Sequence, residues 1–174
     1  MKKTKSLILC GLFAALITVG AYMKIPNPII PFTLQTLFVF LSGLLLGGKR
    51  GAIAAAVYML LGLIGVPVFA KGGGLWYVLE PSFGYIIGFV AASFVIGIIS
   101  EKNKSFLNML FASLVGIFIV YLFGVGYYYC IAKFYLFVDV DLAKLIFMYL
   151  PSDVVSAIFA AFIGTKLYKY TRAY

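Results

Sequence analysis

The sequence predicts an all-α integral membrane protein, a compact bundle of six transmembrane helices with both termini on the cytoplasmic side. Three observations carry that expectation. Of 174 residues, 64% are hydrophobic and 11% charged, where a soluble domain is about 45–50% apolar and about 25% charged. A soluble fold of this length has too little interior to hide so much apolar surface, so the bilayer must be its solvent. The apolar residues fall into six runs separated by charged, Gly-rich or Pro-rich connectors, and the basic residues gather in alternate connectors.

The first run is Leu7 to Met23. Its Met-Lys-Lys-Thr-Lys start mimics a signal peptide, but further spans follow and no small-residue cleavage site closes it, so a retained helix is expected. The second run, Leu34 to Gly47, and the third, Ala52 to Val66, flank a Gly47-Gly48-Lys49-Arg50-Gly51 turn. Both are short for about 30 Å of hydrocarbon, which implies little tilt or shielding by neighbours. The loop 67–82 carries Lys71, three glycines, Trp76, Glu80 and Pro81. The fourth run is Phe83 to Ile99, ended by Ser100-Glu101-Lys102-Asn103-Lys104. The fifth is Phe106 to Ile131. A polar connector with Asp139, Asp141 and Lys144 leads to the sixth, Asp153 to Leu167. There is no internal repeat or linker, so 1–174 reads as a single domain.

With the N-terminus inside, the inner segments hold Lys2, Lys3, Lys5, Lys49, Arg50, Lys102, Lys104, Lys166, Lys169 and Arg172, against Lys24, Lys71, Lys133 and Lys144 outside, 10 to 4. This is the positive-inside pattern, and it accounts for the net charge of +9 better than nucleic-acid binding does. The chain contains no His, which excludes His-ligated metals and His-based triads. No metal site or cofactor is expected. Cys10 and Cys130 lie in apolar stretches without metal-ligand spacing and read as buried small hydrophobes.

Chemistry can sit in three places. Asp153 is the one acidic residue placed within a span; a carboxylate there faces a cavity or a partner, or, following Leu150-Pro151-Ser152, it caps the first turn of the sixth helix. Ser156 is three residues on, on the same face. In Lys71-Gly72-Gly73-Gly74 the glycines let backbone N–H groups approach an anion beside a cation; the alternative is a flexible turn. The third is Ile25-Pro26-Asn27-Pro28-Ile29-Ile30-Pro31-Phe32-Thr33-Leu34-Gln35-Thr36, a stiffened loop suited to a lid or to a plain interfacial connector, with Thr33 and Gln35 as polar candidates. Tyr85, just inside the fourth span, is a pocket wall or a belt aromatic.

These segments, with Gly43-Leu44-Leu45-Leu46-Gly47, Gly62 to Ala70, Pro81-Ser82-Phe83-Gly84-Tyr85-Ile86-Ile87-Gly88-Phe89 and Pro151-Ser152-Asp153, closely resemble the signature of the BioY family of biotin transporters, which are substrate-binding S components of energy-coupling factor transporters. The resemblance keeps motif order over most of the chain. It implies six helices, an outward-opening biotin pocket built from the later helices and covered by the loops after helices one and three, and location in the cytoplasmic membrane among its lipids. It further implies three partner proteins, a transmembrane coupling protein and two ATP-binding subunits. In such a pocket Asp153 accepts from the ureido N–H groups, the rings lie against Tyr85, and Lys71 with the 72–74 backbone meets the valerate carboxylate.

Two departures stand out. Where the family often has Lys three residues after the Asp, this chain has Ser156, so a hydroxyl replaces the local cation. The Ala-x-x-x-Ala docking face of the first helix becomes Gly11-Leu12-Phe13-Ala14-Ala15, leaving small residues at Gly11 and Ala15, which still permit close approach of a partner helix or serve packing within the chain. The rival readings are an S component for another vitamin, a membrane-embedded enzyme, which needs a nucleophile–base or paired-carboxylate constellation, and a scaffold without a ligand.

Overall fold

A 12-residue helix covers only about 18 Å, far short of a bilayer core, yet this protein places one at its centre. In the computed structural model, which describes residues 3–25, 32–139 and 141–172, the helices are α1 (Lys3–Tyr22), α2 (Gln35–Leu46), α3 (Gly48–Leu63), α4 (Phe83–Lys102), α5 (Phe106–Ile131) and α6 (Leu142–Arg172). Helix α2 touches α1, α3, α4 and α6 and buries most of its length, Val39, Phe40 and Leu44 completely. The short apolar run is therefore screened from lipid by its neighbours. Four helical segments, Thr4–Tyr22, Phe83–Lys102, Phe106–Leu136 and Leu142–Tyr168, are long and apolar enough to cross a membrane. Their outer faces carry large apolar side chains such as Leu7, Leu107, Phe118 and Phe147, surface that only lipid tolerates on this scale. The chain is a membrane protein.

The turn between α2 and α3 is held by α4 and the residues just after it. Gly47 has φ +84°, a conformation that favours glycine. At this corner one helix ends and another begins, exposing orphan carbonyls and orphan amides together. Lys104 donates from Nζ to the Leu44 carbonyl at 2.9 Å, and Glu101 Oε1 accepts from the Gly48 amide at 3.2 Å. Each charge has the sign that suits the helix end it meets. Gly97 on α4 lets the chains close here, since a Cβ on it would lie 2.1 Å from the Gly48 nitrogen. The buried Ser42, Ser93, Ser100 and Ser113 return their hydroxyls to carbonyls three or four residues back, so none is orphaned in the apolar interior.

At the opposite end, α1 and α2 are joined through a small antiparallel ladder of β1 (Lys24–Ile25) and β2 (Phe32–Thr33). The prolines of the expected lid, Pro26, Pro28 and Pro31, lie outside the described residues. The ladder is tied to the α3–α4 loop: the Tyr22 hydroxyl donates to the Pro67 carbonyl and Lys24 Nζ to the Ala70 carbonyl. The Gly72–Gly74 run is folded into that loop. The Phe69 and Gly72 amides exchange bonds with each other's carbonyls at 2.8 and 3.0 Å, and the Gly74 amide donates to the Gly62 carbonyl at 2.7 Å.

Two expectations are corrected. The sixth helix begins at Leu142 and not at Asp153, so Pro151 and Asp153 lie inside a 31-residue helix. Asp153 is therefore not a first-turn cap; it sits roughly 16 Å along the helix axis. Membrane helices accept an internal proline where surrounding structure satisfies the freed carbonyl. Cys10 is buried as expected, but Cys130 is exposed, on an apolar outer surface where a thiol costs little.

The Gly97→Ala variant should lose about 1–3 kcal/mol of stability through overpacking against backbone that cannot yield. Gly126→Ala, where a Cβ meets nothing within 4 Å, should melt like wild type; thermal unfolding in detergent compares the two.

Candidate functional site

A set of polar side chains converges at the end capped by the ladder and the 64–82 loop. They enclose a cavity in which about 60 Å3 is open to the centres of water molecules, room for a few waters. Every helix but α1 contributes. Gln35 and Thr36 come from the first turn of α2, Tyr58 from α3, Tyr85, Ile86 and Phe89 from α4, Val120 from α5, and Tyr149, Ser152 and Asp153 from α6, with Thr33, Ala70, Tyr77 and Ser82 closing the roof.

Among the described residues of this lining, Asp153 is the one that carries a charge. The Tyr121 hydroxyl donates to its Oδ2 at 2.7 Å, and the Thr36 hydroxyl also reaches the carboxylate. Such charge-assisted bonds are stronger than neutral ones, and they link α5, α2 and α6 at a single group. A second chain of bonds runs from the ladder through α2 to α3: Thr33 Oγ1 donates to Gln35 Oε1 at 3.1 Å, and Gln35 Nε2 donates to the Tyr58 hydroxyl at 2.6 Å. In the roof Ser82 Oγ donates to the Tyr77 hydroxyl at 3.3 Å, and burial pushes that tyrosine above its ordinary pKa. An aromatic cluster of Tyr58, Phe69 and Tyr77, with centroids 5.4 and 4.4 Å apart along the series, seats the loop on α3. Phe69 fits only because Gly62 has no side chain; a Cβ there would lie 2.0 Å from the ring.

Of the residues singled out from sequence, the cavity gathers Thr33, Gln35, Tyr85 and Asp153. Ser156 is buried one turn below Asp153 and does not line it. Gly72, Gly73 and Gly74 do not line it either. Lys71 lies in a neighbouring outer crevice with Trp76, Tyr128 and Tyr135, its Nζ 2.8 Å from Glu80 Oε2. Gly11 and Ala15 are exposed on one face of α1, far from the cavity, between Leu7, Ile8, Leu12 and Val19, and a Cβ on Gly11 would meet nothing.

Sequence reasoning missed Tyr121, Tyr58, Tyr77 and Tyr149. They were submerged among 13 tyrosines, most of which suit a membrane-interface belt equally well.

The chain matches the model of the BioY family over residues 1–173. It is 40% identical to the probable biotin transporter BioY of Lysinibacillus sphaericus over 99% of this chain and 91% of that protein. It is 41% identical to the biotin transporter BioY of Thermotoga maritima over 95% and 96%. A solved structure described as the S-component for biotin from an ECF-type ABC transporter superposes with a TM-score of 0.83, at 26% identity, covering 97% of this chain and 93% of that one.

Gln35→Ala removes the partner of the buried Tyr58 hydroxyl and should cost about 1–3 kcal/mol. Adding Tyr58→Phe should restore part of that loss, because no polar atom is then stranded; a double-mutant cycle of thermal unfolding measures the difference.

Proposed function

The chain belongs to the BioY family, and from that premise we propose that it captures biotin from outside the cell and delivers it inward as the substrate-specific subunit of an energy-coupling factor transporter. The observation that carries this reading is a lone carboxylate, Asp153, set in the wall of an otherwise uncharged cavity in a fold whose relatives are named biotin transporters. The ureido ring of biotin offers N–H donors to that carboxylate, and its fused rings suit a lining of tyrosine, Ile86, Phe89 and Val120.

The same reading takes the chain as six crossings of the cytoplasmic membrane with both termini inside. The charge asymmetry supports it: Lys49, Arg50, Lys102 and Lys104 flank the end away from the cavity. Biotin then enters from the outer side, between the ladder and the 64–82 loop, which must part to admit a ligand larger than a few waters. Lys71 serves the valerate carboxylate by exchanging Glu80 for it, at the outer edge of the site. Gly11 and Ala15 on the exposed face of α1 are the surface for the transmembrane coupling protein, which with two ATP-binding subunits supplies the energy. Among the described residues the lining holds one carboxylate and no base to pair with it, which supports transport over catalysis.

The purified protein should bind biotin and discriminate against thiamine and riboflavin in calorimetry; preference for another vitamin, for which Ser156 in place of lysine gives a reason, would overturn the substrate. Asp153→Asn should weaken biotin binding by about 1–3 kcal/mol, the worth of a hydrogen bond to a charged group. Wild-type affinity in a folded Asp153→Asn protein would remove Asp153 from the site.

A further inference from the structure

Lipid meets the outer surface of this bundle, and along the seam between α5 and α6 that surface is concave. A trough of about 590 Å3 runs from Gly126 to Leu114 on α5 and from Ile146 to Val154 on α6, past Leu122, with the buried Tyr121 as its floor. Tyr121 brings the polar side-chain atom of this lining, and turns it inward, to Asp153 Oδ2 at 2.7 Å. What the trough offers an occupant is therefore hydrocarbon. Gly126 keeps its upper part open, since a Cβ there would meet nothing within 4 Å. From Gly126 to Leu114 is roughly 18 Å of helix, a little over half of the roughly 30 Å hydrocarbon core. That is the depth of one leaflet.

Above the trough the seam becomes polar. Tyr129 follows Gly126 by three residues and Lys133 follows Tyr129 by four, so they continue the same helix face. There Tyr129, Lys133, Asp139 and Asp141 line a crevice. Lys133 Nζ donates to the Tyr129 hydroxyl at 3.1 Å and lies 5.4 Å from the centre of its ring. Asp141 accepts from the Lys144 amide at 3.1 Å, at the start of α6, and a carboxylate has room for further donors. One cation and two carboxylates above an apolar trough one leaflet deep are the complement of a zwitterionic phospholipid. The carboxylates also choose between its cations. A primary ammonium donates N–H groups to them, whereas choline has none to give, and the Tyr129 face that would suit choline is covered by Lys133. We infer that the α5–α6 seam seats one phosphatidylethanolamine molecule from the leaflet on the cavity side, with an acyl chain in the trough, its phosphate at Lys133 and its ammonium at Asp139 and Asp141. The chain then covers the lipid side of Tyr121, the residue whose hydroxyl holds Asp153. This seat is on the membrane face and is independent of which ligand the cavity takes.

Native mass spectrometry and thermal unfolding of the full chain in detergent test this, with phosphatidylethanolamine, phosphatidylcholine and phosphatidylglycerol of identical acyl chains added in turn. Phosphatidylethanolamine should be retained as a single bound molecule and should raise the melting temperature most. Gly126→Leu builds a side chain into the trough from a Cβ that meets nothing, and leucine suits a helix better than glycine. Without lipid this variant should melt no lower than wild type, and it should lose the bound phosphatidylethanolamine. Asp139→Asn combined with Asp141→Asn keeps the start of α6 capped, since asparagine caps as well, and should leave phosphatidylethanolamine and phosphatidylcholine equal. Lys133→Gln should weaken phosphatidylethanolamine binding about two- to fivefold, the scale of an exposed ion pair. Equal retention of the three lipids by the wild-type protein, or preference for either of the others, would overturn the inference. So would unchanged retention of phosphatidylethanolamine in Gly126→Leu, or an unchanged preference in the double aspartate variant. If Gly126→Leu melts below wild type, the aspartate comparison decides.

Discussion

A carboxylate in the body of a membrane helix has to be met by donors from its surroundings, because lipid offers none. Asp153 is such a group, and its donors come from two other helices, Tyr121 on α5 and Thr36 on α2. The demand ties together segments remote in sequence and decides which faces of α2, α5 and α6 turn inward at that end of the bundle. The remaining polar lining follows from the same arrangement. Once the first turn of α2 stands beside α6, Gln35 falls against Tyr58 on α3 and extends the hydrogen-bonded wall to the roof.

Elsewhere the bundle is held by close approach. Lipid provides no hydrophobic drive for helices to associate, so contact area and polar pairing must hold them. Gly97 permits α4 to rest on the α2–α3 corner, and Gly124 permits Tyr85 to lie on α5. The first contact is structural. The second seats a ring of the cavity lining, and so the same device that packs the helices also shapes the cavity. At the corner, Glu101 and Lys104 answer the exposed ends of two helices, which lets two short helices occupy the place of longer ones.

The roof has a different character. It is joined to the ladder by side-chain donors on backbone carbonyls, Tyr22 to Pro67 and Lys24 to Ala70, and its aromatic core rests on α3 through Phe69. Both of its halves are connectors between helices, the kind of segment on which binding residues are disproportionately carried. The Lys71–Glu80 pair lies at the outer edge of this roof, half exposed, where an ion pair is worth about 0–1 kcal/mol.

By itself the sequence determined that the chain is a membrane-embedded helical bundle, where its apolar runs lie, and that Asp153, Gln35, Thr33 and Tyr85 are worth attention. Hydropathy and the cost of a buried charge are properties of residues in any fold, so they can be read without one. The start of α6 was not legible, since Pro151-Ser152-Asp153 is equally well formed as a helix start and as a stretch of helix interior; only the continuation of the helix back to Leu142 separates them. Nor was the use of the glycine run legible: consecutive glycines permit both an anion cradle and a tight loop, and the bonds from Gly72 and Gly74 to Phe69 and Gly62 belong to the loop. The partners of Asp153 were decided by tertiary structure alone. They depend on which turn of α5 faces which turn of α6, and in a helix apolar on every side no periodicity marks the face that turns inward.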